Sequence, residues 1–394
     1  MMYLKKNIGL FVLVIAMMLS FTAVAQQDSV QSEPIYDSLV FLPGDSAMID
    51  RIDHMTKDDI KRMTLEDLLM LPLEQLVKLS QKLGISVEEL LNMKVTVSSK
   101  SELTPRESPG IISVVTEEDI KKSGARDLID VLRLVPGYDF GYDVQGVIGL
   151  ASRGLWGHEG KILLLIDGQE MNEQFYSTIP ISNHYPISNI KRIEIIRGPG
   201  SSIYGGSAEL GVINIITKSG SDLEGGSVST TYGQMGSIMG RTQADMAVGH
   251  KVKDLDFSLS GSYHLANKTN KAFLLPDTTV NYTDGSSMTE NEHINLRISY
   301  KKLQTSFIYD NYKTGYYNFR TDNLNTIYNT NHQFKNFIYD LRYNFQVSKK
   351  LTITPRINYK YGQPWVSDSF PDKRSIKQVT ASLLIKYEPK DHLK

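Results

Sequence analysis

The sequence predicts a mixed α/β domain followed by antiparallel strands of a transmembrane β-barrel, with a short helical N-terminal extension. Residues 94–219 alternate short β-branched strands with short amphipathic helices, which is typical of an α/β domain. After about Gly225, segments alternate apolar and polar side chains between polar turns. Alternating segments of roughly ten residues are the signature of strands that contact lipid on one face.

The N-terminus has the three parts of a secretory signal peptide. Two lysines give a positive start, residues from Ile8 to Phe21 are apolar, and a small-residue cleavage site ends at Ala25. We therefore expect residues 1–25 to be removed on export. A retained membrane anchor is the alternative, and the polar residues that follow at once argue against it. The chain has no cysteine, so we expect it to have no disulfide bond and no lipoprotein anchor.

Residues 26–92 are interpreted as a polar leader followed by a short helical extension. The stretch from Met55 to Met93 is leucine-rich, and Thr64 and Ser86 each begin a capping box. We interpret this extension as a spacer ahead of the α/β domain. A partner-binding module is the alternative reading.

The elements of the α/β domain follow from local patterns. PGIISVVT (109–116) is a strand entered by proline, and Thr116 then begins a helix that Gly124 ends. Residues 126–137 place their apolar side chains on one helical face and stop at Pro-Gly. KILLLIDG (161–168) is continuously apolar, as in a strand buried on both faces, and ends in an Asp-Gly turn. The remaining strands are KRIEIIRG and GVINIIT.

Five later segments alternate strictly. They are 257–263, 294–300, 339–345, 351–361 and 379–387. In the first, Phe257, Leu259 and Tyr263 lie on one face and serines lie on the other. A soluble β-sandwich would alternate too, but the signal peptide, the missing cysteines and the tyrosines near strand ends favour a membrane barrel.

Composition and motifs argue against several functions. A formal net charge of −1 gives no general case for nucleic-acid binding. The glycine-rich stretch Gly198–Gly206 lacks the lysine of a phosphate-binding loop, and Ile203 stands where a dinucleotide fingerprint needs its third glycine. The sequence has no HExxH and no GxSxG, and His158 has no second histidine at a metal-binding spacing. We therefore predict no catalytic residues, no metal site and no cofactor.

Several motifs in order resemble the plug domain of TonB-dependent outer-membrane receptors. They are LLNMKVTVSSKSE, PGIISVVTEEDIKKSGARDLIDVLRLVPGYD, ASRG, KILLLIDGQEM and IKRIEIIRGPGSSIYGGSAELGVINIITKSG. The resemblance implies a plug over residues 93–220 and barrel strands over 221–394. Receptors of this family close a 22-stranded barrel, whereas the residues after Gly225 leave room for about eight strands. We therefore expect an incomplete, truncated barrel.

The resemblance also implies a function and partners. It implies import of a scarce nutrient, most simply a ferric siderophore, across the bacterial outer membrane, with outer-membrane lipid around the barrel. Energy would come from TonB of the TonB–ExbB–ExbD complex, through strand pairing with an extended TonB box. The candidate box is Lys94, Val95, Thr96, Val97 and Ser98, which could equally be the first plug strand. Haem, cobalamin or glycan uptake, or a sensor or adhesion receptor without transport, are the alternatives.

Two sets of residues are predicted to carry that function. The gate and core of the plug are Arg153, Gly154, Asp167, Gly168, Arg197, Gly198, Pro199, Gly200 and Gly205. The resemblance implies that Arg153 and Arg197 pair with acids of the barrel. Three outward loops, 138–146, 154–160 and 170–186, are predicted to face the ligand. Their candidate contacts are Tyr138, Phe140, Tyr142, Trp156, His158, Phe175, Tyr176 and Tyr185, although each could instead pack against the barrel wall.

Overall fold

The computed structural model describes ten stretches of the chain. They are residues 111–143, 146–198, 204, 206–271, 273–274, 280–281, 287–318, 328–348, 350–367 and 374–387. All of these residues belong to one compact unit. The predicted signal peptide, the leader with its helical extension, and the candidate TonB box at 94–98 lie outside the described residues.

The α/β domain spans residues 111–217 and has eight strands and two helices among its described residues. The strands are β1 (Ile111–Thr116), β2 (Tyr138–Tyr142), β3 (Ile148–Ser152), β4 (Leu155–Trp156), β5 (Ile162–Ile166), β6 (Gln169–Glu170), β7 (Ile190–Arg197) and β8 (Gly211–Thr217). The helices are α1 (Glu117–Ser123) and α2 (Leu128–Leu132).

A five-stranded sheet in the order β1-β7-β8-β5-β6 forms the centre of this domain. β5 and β8 run parallel, whereas β1 with β7 and β7 with β8 run antiparallel. Every residue of β5 is buried. Leu164 packs into the larger apolar cluster on one face of the sheet, and Leu163 packs into a smaller cluster on the other. The predicted burial of this strand on both faces is confirmed.

Helix α1 forms as predicted, and α2 is shorter than predicted. Thr116 Oγ1 accepts a hydrogen bond from the Asp119 amide at 3.1 Å, and Gly124 ends the helix in the left-handed region at φ 67°. Residues 126–137 were predicted to be helical, but only the five residues of α2 form a helix. After Leu132 the chain tightens into three-residue turns, with the Val135 amide donating to the Leu132 carbonyl at 3.0 Å.

The rest of the described chain forms helix α3 and long antiparallel strands. The elements are α3 (Gly220–Leu223), β9 (Gly225–Met235), β10 (Ile238–Val252), β11 (Leu255–Asn267), β12 (Phe273–Leu274), β13 (Val280–Asn281), β14 (Met288–Tyr300), β15 (Leu303–Asn318), β16 (Tyr328–Tyr343), β17 (Phe345–Ser348), β18 (Leu351–Ser367) and β19 (Ile376–Tyr387). β12 and β13 pair with each other. Among the described residues the others form one nine-stranded sheet, the long-strand sheet, in the order β17-β18-β16-β15-β14-β11-β10-β9, with β19 on β18.

The two faces of the long-strand sheet differ as the alternation predicts. Ser258, Ser260 and Ser262 on β11 are 5–7% exposed. The opposite face keeps apolar side chains in the open, such as Ile357 at 53% and Leu383 at 60%. All five predicted segments lie in strands, with one break at Asn344, whose amide donates to the Lys302 carbonyl at 3.0 Å.

The two ends of the long-strand sheet also differ. Tight turns join β10 to β11 and β14 to β15, with Lys253 and Lys301 both at φ 53°. We call this the short-turn end. Longer connections follow β11, β15 and β18 at the opposite end, the long-loop end. No helix within the described ranges is long and apolar enough to cross a membrane.

Candidate functional site

Two turns of the α/β domain pair a left-handed residue with a glycine. Arg153 (φ 52°) precedes Gly154 (φ 77°), and Asp167 (φ 50°) precedes Gly168 (φ 76°). Two successive positive φ angles are the geometry of a type I′ hairpin turn, which confirms the predicted Asp-Gly turn after β5. Gly198 follows β7 at φ 143°. The other predicted glycine-loop residues, outside the described part of the chain, are Pro199, Gly200 and Gly205.

The two arginines of the predicted gate lie against backbone carbonyls of their own domain. Arg153 Nη2 donates to the Arg197 carbonyl oxygen at 3.4 Å, and Arg197 Nη1 donates to the Pro136 carbonyl oxygen at 3.1 Å. Within the described ranges, neither guanidinium forms an ion pair with an acid of the long-strand sheet. The pairing that the resemblance implied is therefore not found here. These arginines instead tie the end of β7 to the turns beside it.

An ion pair does join the α/β domain to the long-strand sheet, but the acid lies on the domain and the arginine lies on the sheet. Asp167 Oδ1 accepts from Arg297 Nη1 of β14 at 3.1 Å, and its Oδ2 accepts from Asn295 Nδ2 at 3.0 Å. Asp167 also accepts from the Thr217 hydroxyl at 2.7 Å, which fixes the carboxylate against the end of β8. The type I′ turn therefore presents a charge to the sheet, near its short-turn end.

A second carboxylate joins the domain to the middle of the sheet. Asp310 on β15 is 0% exposed and lies 2.9 Å from Nε2 of His184 and 3.0 Å from Nδ1 of His293. His184 Nδ1 faces the Pro180 carbonyl oxygen at 2.5 Å. Both ring nitrogens of His184 therefore face oxygen atoms, one from the plug backbone and one from β15. We call His184, His293 and Asp310 the Asp310 cluster.

Further polar contacts cross between the domain and the sheet. They are Arg241 to Asp127 at 2.8 Å, Lys360 to the Asn172 carbonyl at 2.6 Å, and Asn358 to Gln169 Oε1 at 2.7 Å. Each is directional and requires a particular placement of the domain. Together with the Asp310 cluster they hold the domain against the inward face of the sheet by hydrogen bonds and ion pairs.

Four of the predicted ligand-facing aromatics are exposed: Tyr142 at 58%, Trp156 at 41%, Phe175 at 47% and Tyr176 at 50%. Two of them lie under cations, with Lys268 Nζ 5.0 Å from the centre of the Tyr142 ring and the Arg374 guanidinium 4.8 Å from that of Phe175. Since Lys268 follows β11 and Arg374 precedes β19, both cations belong to the long-loop end.

Lys268 is held by three oxygen acceptors. Its ammonium donates to the Gly146 carbonyl, the Thr314 hydroxyl and the Gly315 carbonyl, each at 2.7 Å. Burial lowers the pKa of Lys268 to about 7, while the nearby Asp143 carboxylate acts in the opposite direction. This site therefore combines an exposed ring with a cation whose charge depends on pH near neutrality.

Three predicted ligand contacts are buried, and the ligand-facing assignment is wrong for them. Tyr138 and Tyr185 are 6% and 3% exposed and belong to the apolar core of the α/β domain. His158 is 1% exposed and lies 3.2 Å from Asp143. Phe140 is half-buried against the same core, beneath the Arg133 guanidinium at 5.6 Å. These side chains come from strands or from segments packed on strands, where alternate residues point inward.

Comparison with known proteins agrees with this arrangement. A family model described as "TonB-dependent Receptor Plug Domain" matches residues 104–212. The chain contains a TonB-dependent receptor plug. A vitamin B12 transporter, BtuB of Vibrio vulnificus (strain CMCP6), is 36% identical over 126 residues, which are 31% of this chain and 20% of that protein.

The solved siderophore receptor PirA from Acinetobacter baumannii shares the fold. It is 20% identical, with a TM-score of 0.50, and the match covers 71% of this chain and 45% of PirA. The fold is therefore a TonB-dependent receptor plug, the α/β domain, with part of an antiparallel barrel, the long-strand sheet. The chain matches less than half the length of each of these two proteins.

Sequence reasoning missed most of the residues on the sheet side. Lys268, Arg374 and Trp365 lie beside the exposed plug aromatics, with the Trp365 ring 6.0 Å from that of Tyr176. Asp310 and Arg297 make the buried contacts to the plug. Charged residues at inward positions of otherwise alternating strands were the available signal, since a charge in a barrel lumen needs a partner.

Proposed function

We propose that this chain is part of a TonB-dependent outer-membrane receptor that takes up a ferric siderophore by energy-coupled transport. The observation that carries the proposal is the pairing of exposed plug aromatics with cations at the long-loop end. In outer-membrane barrels the short turns face the periplasm and the longer loops face outward, which puts this cluster on the side where a ligand arrives.

The chemistry of the cluster favours an aryl-chelated ferric siderophore. Tyr142 with Lys268 and Phe175 with Arg374 each offer a ring face beside a positive charge. Aromatic catechol or phenol chelates of iron are flat, aromatic and negatively charged, so they suit stacking on rings and attraction to cations. Cobalamin is the second candidate, because a relative that is 36% identical over 126 residues is described as a vitamin B12 transporter.

Ligand binding is testable with the two tryptophans of the chain, Trp156 and Trp365. Both lie in or beside the aromatic cluster, so a bound ferric chelate should quench their fluorescence. The titration would compare a ferric tris-catecholate, a ferric hydroxamate, haem, cyanocobalamin and a maltooligosaccharide. We expect saturable quenching by the catecholate at the lowest concentration. Tighter binding of cyanocobalamin, haem or the glycan would show that the substrate class is wrong.

A pair of variants separates the cluster from the rest of the plug. Phe175→Ala should weaken the catecholate at least about tenfold, since it removes a ring under a cation. Tyr339→Ala is the control, because Tyr339 is similarly exposed at 44% but lies on the outward face of β16. Equal affinities of the two variants would contradict a ligand site at the cluster.

The proposal that TonB is the partner and supplies the energy depends on the segment at 94–98. Its assignment as a TonB box stays a prediction. Strand pairing with TonB needs a free backbone amide at alternate positions, and proline removes one. We expect Val95→Pro to abolish ligand uptake by iron-restricted cells while ligand binding is unchanged. Normal ligand uptake by the Val95→Pro variant would argue against a TonB box at this segment. If the wild type binds the ligand but does not take it up, a sensor or adhesion receptor would be favoured instead.

A further inference from the structure

A buried carboxylate precedes two of the exposed plug aromatics in the chain. Glu173 is 2% exposed, whereas the rings of Phe175 and Tyr176, two and three residues further on, are exposed. Acidic side chains are almost never buried to this extent unless their oxygens have partners. The partners of Glu173 therefore show what this acid does. We call residues 172–178 the Phe175 loop.

The carboxylate of Glu173 accepts hydrogen bonds from three backbone amides of this loop. Its Oε2 accepts from the Phe175 amide at 2.6 Å, and its Oε1 accepts from the amides of Tyr176 at 2.6 Å and Thr178 at 3.1 Å. Successive amides that converge on one anion form a nest, and hydrogen bonds to a charged acceptor are stronger than those between neutral groups. Glu173 therefore fixes the backbone from which both rings project.

The side chain of Asn172 anchors the base of the same loop. Asn172 is fully buried, and its Oδ1 accepts from the Leu164 amide at 2.8 Å. Its Nδ2 donates to the carbonyl oxygens of Ile162 and Ser177, each at 2.9 Å. Ile162 and Leu164 belong to the buried strand β5, so the loop is tied to the core of the plug.

The two rings contact each other and side chains that follow or precede the long strands. The rings of Phe175 and Tyr176 meet edge to face, with their centres 4.5 Å apart and an angle of 76° between their planes. The Arg374 guanidinium lies 4.8 Å from the centre of the Phe175 ring, and the Trp365 ring meets that of Tyr176 at 78°. Edge-to-face contacts are favourable between aromatic rings. The two rings therefore have a defined orientation before any ligand binds.

We propose that Glu173 is the positioning residue of the ligand site, because its carboxylate orders the Phe175 loop and thereby orients the rings of Phe175 and Tyr176. A loop that must be ordered on binding lowers affinity, and a loop that is ordered beforehand avoids this cost. Glu173 acts through the two rings. That these rings contact a ferric chelate rests on the proposed function. The ordering of the loop does not, because the hydrogen bonds of Glu173 require no ligand.

The test variant is Glu173→Gln, which keeps the size of the side chain. The three amides use both oxygens of Glu173, so a glutamine, with one acceptor oxygen, leaves at least one amide facing its NH₂ group. Asp119→Asn on α1 is the matched control. Asp119 accepts from the Thr116 amide and hydroxyl through Oδ2 alone, so the single oxygen of asparagine can satisfy both. Both variants lose a plug carboxylate, and only Glu173→Gln loses an acceptor that is needed.

The first readout is backbone hydrogen exchange of the complete protein without ligand. The Phe175 loop should exchange slowly in the wild type and in Asp119→Asn, and at least about tenfold faster in Glu173→Gln. Continued protection of β5 shows that the plug is folded. Glu173→Asp, whose shorter side chain withdraws both oxygens from the amides, replaces Glu173→Gln if β5 loses protection. Equal exchange of the loop in the variant and the wild type would overturn the proposal.

The second readout is affinity for the ferric tris-catecholate. Glu173→Gln should bind it at least about tenfold more weakly, and Asp119→Asn should bind it as the wild type does. In a background that carries Phe175→Ala and Tyr176→Ala, Glu173→Gln should cause no further loss, because no rings remain to be oriented. A full further loss in that background, or an equal loss in Asp119→Asn, would overturn the positioning role, since either would reflect the stability of the plug.

Failure of this proposal and failure of the proposed function give different results. If the wild type binds none of the tested ligands, the proposed function is contradicted, and hydrogen exchange still decides whether Glu173 orders the loop. If Glu173→Gln binds the catecholate as tightly as the wild type while its loop exchanges faster, the proposed function stands and the positioning role of Glu173 is overturned.

Discussion

At the scale of single residues, Asp310 is the most constrained group of the plug contact. It is fully buried, and its two imidazole partners come from different elements, one on the plug and one on β14. The His184 ring lies between the rings of Tyr185 and Tyr312, at 3.9 and 4.2 Å between centres. A buried carboxylate is costly unless its oxygens are satisfied, so the two imidazole contacts compensate for the burial of Asp310.

Asp310→Asn should therefore destabilise the plug contact by about 3–5 kcal/mol, since it removes the buried carboxylate that both imidazole rings face. The free energy of unfolding from a urea titration in detergent would measure this. Lys313→Met is the control: it breaks an exposed ion pair with Glu290 at 3.0 Å, and such pairs contribute about 0–1 kcal/mol. A similar loss for both variants would show that the Asp310 cluster does not hold the plug.

Lys268 gives the ligand site a pH dependence. Burial lowers its pKa to about 7, so its ammonium loses charge as the pH rises through neutrality. Affinity for an anionic ferric chelate should therefore fall between about pH 6 and pH 8.5. The fluorescence titration repeated across that range would show it. Lys268→Arg keeps its charge throughout, so it should bind equally well at both ends; a parallel decline in the variant would assign the effect to another group.

At the scale of secondary structure, the strands of the long-strand sheet that could be predicted are those with one clearly apolar face and one clearly polar face. β15 escaped prediction because its inward positions include Ile308 and Tyr312, which pack on the plug and break the alternation. β9 and β10 escaped it because their outward positions carry few large apolar residues. In the plug, the capping residues of α1 and the apolar run of β5 were enough to predict these two elements correctly. The length of α2 could not be predicted, because it depends on the tight turns after Leu132, which the sequence pattern does not specify.

Helix α1 offers a test of local capping. Thr116 accepts from the Asp119 amide, and Asp119 in return accepts from the Thr116 amide at 2.9 Å. Thr116→Ala leaves one orphan helix amide and should cost about 1 kcal/mol in the free energy of unfolding. Thr116→Ser keeps the hydroxyl and is the matched control. A loss of the same size in the serine variant would point to the methyl group, since Thr116 is also buried.

At the scale of the whole molecule, the plug domain and the strand character of the second half could be predicted, and the way the two halves meet could not. The resemblance led to plug arginines facing barrel acids, whereas the structure has plug Asp167 facing Arg297. Of the predicted ligand contacts, Tyr142, Trp156, Phe175 and Tyr176 are exposed and three others are buried. Sequence patterns locate aromatic residues, but burial depends on which side of a strand packs on the plug.

The outward face of the sheet gives a test of its membrane setting. Ile357 lies on that face of β18 and is 53% exposed. Arginine at such a lipid-facing position near the bilayer midplane costs about 2–4 kcal/mol. Ile357→Arg should lose that amount when unfolded by urea from lipid vesicles, and Ile357→Leu should be nearly neutral. A neutral arginine variant would mean that this face does not contact lipid.

β1 has a mechanical consequence. It is the edge strand of the plug sheet, with β7 as its one neighbour among the described strands, and it is the first of them in the chain. A tension applied from its N-terminal side loads the Ile111–Arg197 pair first and then each following pair in turn. Antiparallel ladders opened from one end yield bond by bond, at far lower force than a ladder sheared along its length. The plug sheet would then lose one strand under modest load while β7, β8 and β5 keep their shared core.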